Sequence, residues 1–197
     1  MPTKNPSMHD IFERNKYNIS SLKKSKTWFQ QQVAFLQKQN ITPHSVMRSG
    51  ESTLKVNIIP GNCYFFYYDP KYKLTLPYYD MFPLVFPYAK VPGGFMGLNM
   101  HYLSYPMRIK LLDNLLIFKN NNKMDETTRL KYNWSLLSNV AKFAPAQACV
   151  KHYLDDHVKS PFKQIDCKYW ATAMMLPVEM FRGANKNQVW KDSQGKI

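Results

Sequence analysis

Apolar residues in the first fifty positions of the chain recur every three or four residues. Phe29, Val33 and Leu36 follow this spacing, which places them on one face of an α-helix. Pro43 ends the pattern, because proline lacks the backbone N–H that a continuing helix needs. The spacing therefore predicts a helix over residues 20–39, preceded by an N-terminal arm.

The centre of the chain changes to a period of two. Leu54, Val56 and Ile58 alternate with polar residues, as in a half-buried strand. Short apolar runs divided by proline and glycine follow, and Pro83 within one of them favours an edge strand or a bulge. Strands this short and closely spaced usually curl into a small barrel or a strongly bent sheet. The predicted strands are 53–59, 62–68, 82–86 and 95–102, with a returning strand at 160–165.

Helical spacing resumes after Pro106, and it predicts helices at 106–119, 125–143 and 167–176, with a shorter segment at 146–155. The predicted fold is α+β: a small curved β-sheet or SH3-like barrel, with an N-terminal helix and an inserted helical subdomain. The sheet is expected from about residues 53–102 plus the returning strand near 161–165. The predicted divisions are an arm and helix (1–50), a barrel-like core with the helical insertion (51–182) and a basic tail (183–197).

The composition adds a strong positive charge to this picture. The chain has 27 Lys and Arg against 13 Asp and Glu, a net charge of +14, and the charge suits a polyanionic partner such as DNA or an acidic protein surface. It also has 13 Tyr, 12 Phe and 4 Trp, and an excess of tyrosine often marks surfaces buried in an assembly. Three cysteines show no disulfide framework, and no apolar run approaches the roughly 20 residues of a membrane helix. We therefore expect a soluble protein made in a reducing interior.

No established catalytic motif is present, so an enzyme is not the expected class. Asp69, Asp80 and Asp113 are the nearest candidates for the converging carboxylates of a metal-dependent nuclease. Each has a local alternative: the first two suit turns, and the third suits a helix surface. We predict no cofactor and no metal site from them.

A second set of metal-ligand types lies at Cys149, His152, His157 and Cys167. Four such residues within so short a stretch resemble a structural zinc site. The spacing matches no established finger and lacks a Cys-x-x-Cys knuckle. Buried thiols and surface histidines are the favoured interpretation, and the zinc alternative stays open.

Aromatic rings alternate with lysine in the central segment, and this mixture is typical of single-stranded nucleic-acid binding on small barrels. The candidates are Lys71, Lys73, Tyr78 and Tyr79. The alternative is that most of these rings form the barrel core, and that the tyrosine pair folds back to cap its open end. Asp80 is expected to accept a hydrogen bond from backbone beyond the pair, which would hold both rings on a rigid loop.

The predicted helices of the second half also carry basic side chains that can face either solvent or phosphate. The candidates for DNA binding or for a protein interface are Arg108, Lys110, Arg129 and Lys131. A solvated helix face is the ordinary explanation of such residues, and only the overall charge favours phosphate.

The motifs of residues 58–182 resemble a family. They include Pro60-Gly61-Asn62-Cys63-Tyr64, Leu76-Pro77-Tyr78-Tyr79-Asp80, Gly97-Leu98-Asn99-Met100-His101-Tyr102-Leu103, Tyr153-Leu154 and Leu176-Pro177-Val178-Glu179. The pattern is similar to a virion protein family of T-even-like tailed bacteriophages, that of the DNA end protector (head-completion) protein.

This resemblance implies a non-enzymatic component of the phage particle, made in the host cytoplasm. Its expected partners are other virion proteins and double-stranded DNA, bound without regard to sequence, and no membrane. Binding and protection of the ends of packaged DNA is the first functional hypothesis. A neck, tail or baseplate subunit whose charge meets acidic neighbours is the second, and a nucleic-acid-processing nuclease is the third.

Overall fold

The main feature of the fold is one antiparallel sheet, seen in a computed structural model that describes residues 26–49, 53–116 and 144–194, with Ser135 and Asn139. The strands are β1 (Thr53–Lys55), β2 (Cys63–Phe65), β3 (Tyr79–Asp80), β4 (Leu84–Val91), β5 (Gly94–Asn99), β6 (Val150–Leu154), β7 (Phe162–Ile165) and β8 (Phe181–Arg182). Six of them pair in the order β1-β7-β2-β4-β5-β6. The other two, β3 and β8, form a separate antiparallel ribbon.

The described helices pack on one face of this sheet. They are α1 (Lys26–Lys38), α2 (Pro43–Arg48), α3 (Tyr105–Leu116), α4 (Trp170–Met175) and α5 (Lys186–Gln194). Helix α2 begins with a capping box, in which the Thr42 hydroxyl accepts from the Ser45 backbone N–H and the Ser45 hydroxyl accepts from the Thr42 backbone N–H. Pro43 occupies the first turn of α2, where a missing N–H costs nothing. Helix α1 ends earlier, at Lys38, and is followed by Asn40, whose φ is +51°.

Alternate residues of the strands enter two different cores. Phe65 and Leu84, which are register partners on β2 and β4, belong to the larger core shared with α1, α3 and α4. The next pair along, Tyr64 and Val85, belongs to a smaller core on the other side, built largely from aromatic rings. Since side chains alternate between the faces of a sheet, one strand supplies both cores. Much of the aromatic excess is therefore internal.

The α+β prediction is confirmed, and of the two predicted arrangements, a sheet or an SH3-like barrel, the structure shows a sheet that does not close into a barrel. The six-stranded sheet is open, with β1 at one edge and β6 at the other, because no hydrogen-bonded pairing joins these two strands. The strand predicted at 82–86 runs over Leu84–Val91 and lies between β2 and β5, so it is not an edge strand. A bulge does occur in it, between Pro87 and Ala89. The returning strand is confirmed at Phe162–Ile165.

Two segments near the C-terminus differ from their predictions. The segment predicted at 146–155 is divided between two elements, a short 3-10 helix that begins earlier, Ala144–Cys149, and strand β6. The part predicted as a basic tail contains helix α5, whose Val189 is fully buried. Of the helix predicted at 125–143, only Ser135 and Asn139 are described, and both are helical; the rest lies outside the described residues. Within the described ranges, no helix is long and apolar enough to cross a membrane.

Candidate nucleic-acid interface

A cleft of about 520 Å³ opens between the β5–β6 edge of the sheet and the loop that precedes β3. Tyrosine is its most frequent lining residue, and we call it the tyrosine cleft. Its size is within the range of small-molecule sites. The lining consists of Tyr68, Pro70, Lys71, Tyr72, Leu76, Pro77, Tyr78, Tyr79, Asp80, Asn99, Tyr102, Lys151, His152, Tyr153 and Leu154.

The outer wall of the cleft is residues 70–77, which we call the rim loop. Consecutive turns order it: the backbone N–H groups of Thr75 and Leu76 both donate to the carbonyl of Tyr72, at 3.0 and 3.1 Å. At its base, the Nδ1–H of His157 donates to the carbonyl of Asp69 at 2.7 Å. Backbone hydrogen bonds therefore hold the rim loop in one conformation.

The C-terminal segment closes the other end of the rim loop. Gly183 has a φ of +86°, and a Cβ there would lie 2.4 Å from the carbonyl oxygen of Pro77. Only glycine allows this approach. The backbones of Tyr79 and Asp80 pair with Arg182 and Phe181 in the β3–β8 ribbon, so the tyrosine pair stands on a hydrogen-bonded support.

The inner walls are buried phenols. Tyr68, Tyr102 and Tyr153 are each less than one-tenth exposed. Burial raises the pKa of all three hydroxyls above the ordinary value of tyrosine, so they remain neutral at physiological pH. The ring centroids of Tyr68 and Tyr153 lie 4.9 Å apart in an edge-to-face contact. The walls are thus rigid, aromatic and uncharged.

Two lysines line the cleft, and we call the part of the cleft beside Lys71 and Lys151 its mouth. The Lys151 Nζ lies 3.9 Å from the ring centroid of Tyr102, and the Lys71 Nζ lies 5.5 Å from that of Tyr72. Both distances fit cation–π contacts. Lys71 and Tyr72 are exposed, and His152 beside Lys151 is exposed as well. The mouth therefore combines positive charge with accessible aromatic surface.

The floor is a buried polar cluster around Asp80. One carboxylate oxygen accepts from the backbone N–H groups of Phe82 and Met180, at 3.1 and 3.3 Å. The other accepts from the Asn99 amide at 3.2 Å and from the His101 Nδ1–H at 2.7 Å. The contact with Phe82 confirms that Asp80 binds backbone beyond the tyrosine pair. His101 is completely buried, and its Nε2 has no hydrogen-bond partner among the residues that the structure describes.

A second buried cluster lies behind the floor and is centred on Arg108. Its guanidinium donates to Glu179 at 2.6 Å, to the carbonyls of Leu103 and Met174 at 2.8 and 2.9 Å, and to that of His101 at 3.3 Å. Although burial alone would raise the pKa of Glu179, Arg108 and the other nearby cations hold it below the ordinary value. The cluster joins α3, the floor and the segment before β8.

Of the eight interface candidates, the structure brings Lys71, Tyr78 and Tyr79 together at the tyrosine cleft. Lys73 lies on the same rim loop, where its Nζ is 2.9 Å from both carboxylate oxygens of Asp69. Lys110 is exposed on α3. Arg129 and Lys131 lie outside the described residues.

Arg108 requires a correction. The helical pattern placed it with residues facing solvent or phosphate, but its exposed fraction is zero, and Glu179 and three carbonyl groups surround its guanidinium. The pattern of α3 alone does not reveal that the chain supplies acceptors on its buried side. Arg108 is a structural residue, and no DNA contact is assigned to it.

The metal candidates are dispersed. Asp69 is paired with Lys73, Asp80 is occupied by its four donors, and the side chain of Asp113 is outside what the structure describes. In the second set, Cys149 is buried while His152 is exposed, and burial raises the pKa of the Cys149 thiol to about 12. Across residues 26–49, 53–116 and 144–194, no three such ligands are grouped as a metal site would require.

The sequence-based set lacked Lys151 and His101. No local signal identifies Lys151, because the five residues of Val150–Leu154 are too few to establish the period of two that places it beside Tyr153. His101 belongs with Tyr102 to the aromatic and basic mixture of the sequence, but its contact with Asp80 has no local signal, because the two residues are 21 positions apart in the chain.

Comparison with protein families gives one finding. The model of the family described as the phage T4 terminal DNA protecting protein matches residues 9–193, nearly the whole chain. No curated protein and no solved structure matches.

Proposed function

This chain belongs to the family of the phage T4 terminal DNA protecting protein, and we propose that it binds and shields the ends of packaged phage DNA. The family match over residues 9–193 is the observation that carries the proposal. The match also supports association with the virion, where packaged ends would need protection.

The charge of the chain supports a sequence-independent mode of binding. Protecting an end requires contact with phosphate wherever the end falls, and phosphate contacts carry no sequence information. The net charge of +14 supplies the attraction. Lys71, Lys73 and Lys110 are exposed and are the proposed phosphate contacts among the described candidates. Arg129 and Lys131 complete the proposed set.

We further propose that the protein acts without cutting DNA. Metal-dependent cleavage needs carboxylates that converge on one site. Asp69 and Asp80, the two described candidates, are instead bonded to Lys73 and to the His101–Asn99 cluster. With magnesium or manganese added, purified protein should leave linear DNA intact. Cleavage that is lost in Asp80→Asn would contradict the proposal.

The central test is exonuclease protection. Linear duplex incubated with the protein should resist a processive exonuclease, and excess linear DNA should compete better than the same mass of closed circular DNA. If the protein contacts about six to ten phosphates, raising the salt from about 50 to about 200 mM should lower its affinity for DNA by a factor of about 10³–10⁵. Binding that is independent of salt, or equal competition by circles, would reject end protection.

A further inference from the structure

We propose that the tyrosine cleft receives the terminal nucleotide of one DNA strand, unpaired from its partner, with the base inside and its phosphate at the lysines of the mouth. This inference rests on the proposed function and specifies how an end would be distinguished from continuous duplex. A terminal nucleotide loses stacking on one side only when it leaves the duplex, whereas an internal nucleotide loses it on both sides.

The size of the cleft suits a single nucleotide. A volume of about 520 Å³ is sufficient for one extruded base and its sugar. Extruding a base costs least where it is already unpaired, and a terminal pair is the next easiest to open. The cleft would therefore favour ends because extrusion costs least there.

The walls provide stacking surfaces that accept any base. Tyr72, Tyr78 and Tyr79 line the outer side, and Tyr72 is 62% exposed, so its ring is available to a ligand. Every base has an aromatic face, and stacking on tyrosine is consequently tolerant of sequence. Because backbone hydrogen bonds order the rim loop, little backbone freedom remains to be lost there when a base binds.

The charges of the cleft orient the nucleotide. The ammonium groups of Lys71 and Lys151 stand at the mouth, each against a tyrosine face, where they can donate to a phosphate. The carboxylate of Asp80 is at the floor and repels phosphate. The base therefore enters first, and the phosphate stays outside.

The floor does not read the identity of the base. Asp80 accepts four hydrogen bonds, and Asn99 donates its amide N–H to Asp80 while its amide oxygen accepts from the His101 backbone N–H. These polar groups are already engaged within the protein, so discrimination between bases by direct hydrogen bonding is not expected. A protein that protects DNA ends of any sequence must bind every terminal base about equally well.

Photocrosslinking locates the terminal base directly. A short linear duplex with 5-iodouracil at its last position should crosslink to tyrosines of the cleft, in peptides containing Tyr72 or Tyr78 and Tyr79. The same duplex with 5-iodouracil at its centre should give no crosslink to those peptides. Crosslinks of the terminal base to other parts of the chain would overturn the inference.

Matched variants then separate stacking and charge from folding. Tyr72→Ala should weaken binding to linear duplex about tenfold, while Leu74→Ala, which changes a 95% exposed neighbour outside the cleft lining, should not. Lys71→Ala should weaken it more than Lys38→Ala, an exposed lysine of α1 that does not line the cleft. Unchanged melting temperatures would show that all four variants fold.

The outcomes distinguish the two proposals. If wild-type protein binds linear and closed circular DNA equally, the proposed function fails. If it prefers linear DNA but Tyr72→Ala and Leu74→Ala behave alike, end protection stands and the cleft is not the site. Duplexes that carry an unpaired terminal nucleotide avoid the cost of opening a pair, and they should bind equally well whichever base that nucleotide carries. A strong preference for one unpaired base would contradict the indifferent floor.

Discussion

Two ion pairs of similar chemistry lie in contrasting places in this molecule. Arg108 and Glu179 are joined at 2.6 Å with side-chain exposures of 0% and 3%, whereas Lys73 and Asp69 are joined at 2.9 Å with exposures of 44% and 40%. The first pair has no access to water, so each charge depends on the other. The second remains solvated, and each partner can be released to another ligand at little cost.

The contrast distinguishes a basic residue that stabilises the fold, Arg108, from one that is accessible to a ligand, Lys73. Each pair contains a basic residue, Arg108 or Lys73, that the sequence predicted for the same interface. Each also lies near a tyrosine: the Arg108 guanidinium is 4.6 Å from the ring centroid of Tyr105, and Lys73 belongs to the same rim loop as Tyr72. Positive charge beside aromatic rings therefore does not define a binding surface. Exposure decides which of the two can meet DNA.

The largest effect is expected from Arg108→Ala. The substitution leaves Glu179 buried without its main counter-charge and removes the donors of three carbonyl groups, so we expect a loss of about 3–5 kcal/mol of unfolding free energy. Urea denaturation measures it, with Lys73→Ala as the solvated counterpart. Equal stabilities of the two variants would abolish the distinction between the pairs.

Asp80→Asn tests the floor cluster next. The amide offers one acceptor oxygen where the carboxylate offers two, and its NH₂ faces the donors of Asn99 or His101, so at least one buried donor loses its partner. A destabilisation of about 2 kcal/mol follows. The same denaturation experiment measures it, and a variant as stable as wild type would show that the cluster does not support the fold.

Lowering the pH should reduce the stabilisation that the buried Arg108–Glu179 pair provides. The pKa of Glu179 in the folded protein is below its ordinary value of 4.5, so its contribution to stability is complete above pH 4.5 and is lost as the pH falls through the lowered folded value. Melting temperature against pH should show this decline. The decline should be shallower in Glu179→Gln; an identical slope in that variant would assign acid sensitivity to other groups.

The smallest effect is expected from Lys73→Ala. The hydrogen bond and charge of Lys73 lower the pKa of Asp69, but both side chains are in solvent, so breaking the pair should leave the melting temperature unchanged. Differential scanning calorimetry checks this. A clear loss of stability would indicate that the pair holds the rim loop and that the exposed region is not independent of the buried one.

Local pattern was sufficient for much of the fold. Helical spacing found α1 and α3, because burial of one face of a helix imposes this period on the chain, and the turn residues Gly93-Gly94 separated the strands predicted at 82–86 and 95–102. The period of two located β1 but not a buried face, since Leu54 and Val56 are 51% and 87% exposed. Pattern was insufficient for β6. Its residues Val150–Leu154 were assigned to an undivided segment, since a five-residue strand supplies too few repeats to establish a period.

Local pattern also predicted only part of the candidate site. Lys71, Tyr78 and Tyr79 were identified from mixed charge and aromatic content near a turn, and they line one cleft. Lys151 completes its mouth only because β6 pairs with β5, and Asp80 meets His101 only because β3 and the end of β5 converge at its floor. These contacts join residues far apart in the chain, so no local spacing encodes them.

By itself, then, the sequence determined the α+β class, the positive charge, the family resemblance and the residues of the rim loop. Each of these follows from composition, from short-range periodicity or from contiguous motifs. Tertiary structure alone decided that the sheet stays open, that Arg108 turns inward to Glu179 and that six tyrosines surround one cleft. The reason is physical: whether a charged or aromatic side chain is dehydrated depends on what packs against it, and those neighbours come from distant parts of the chain.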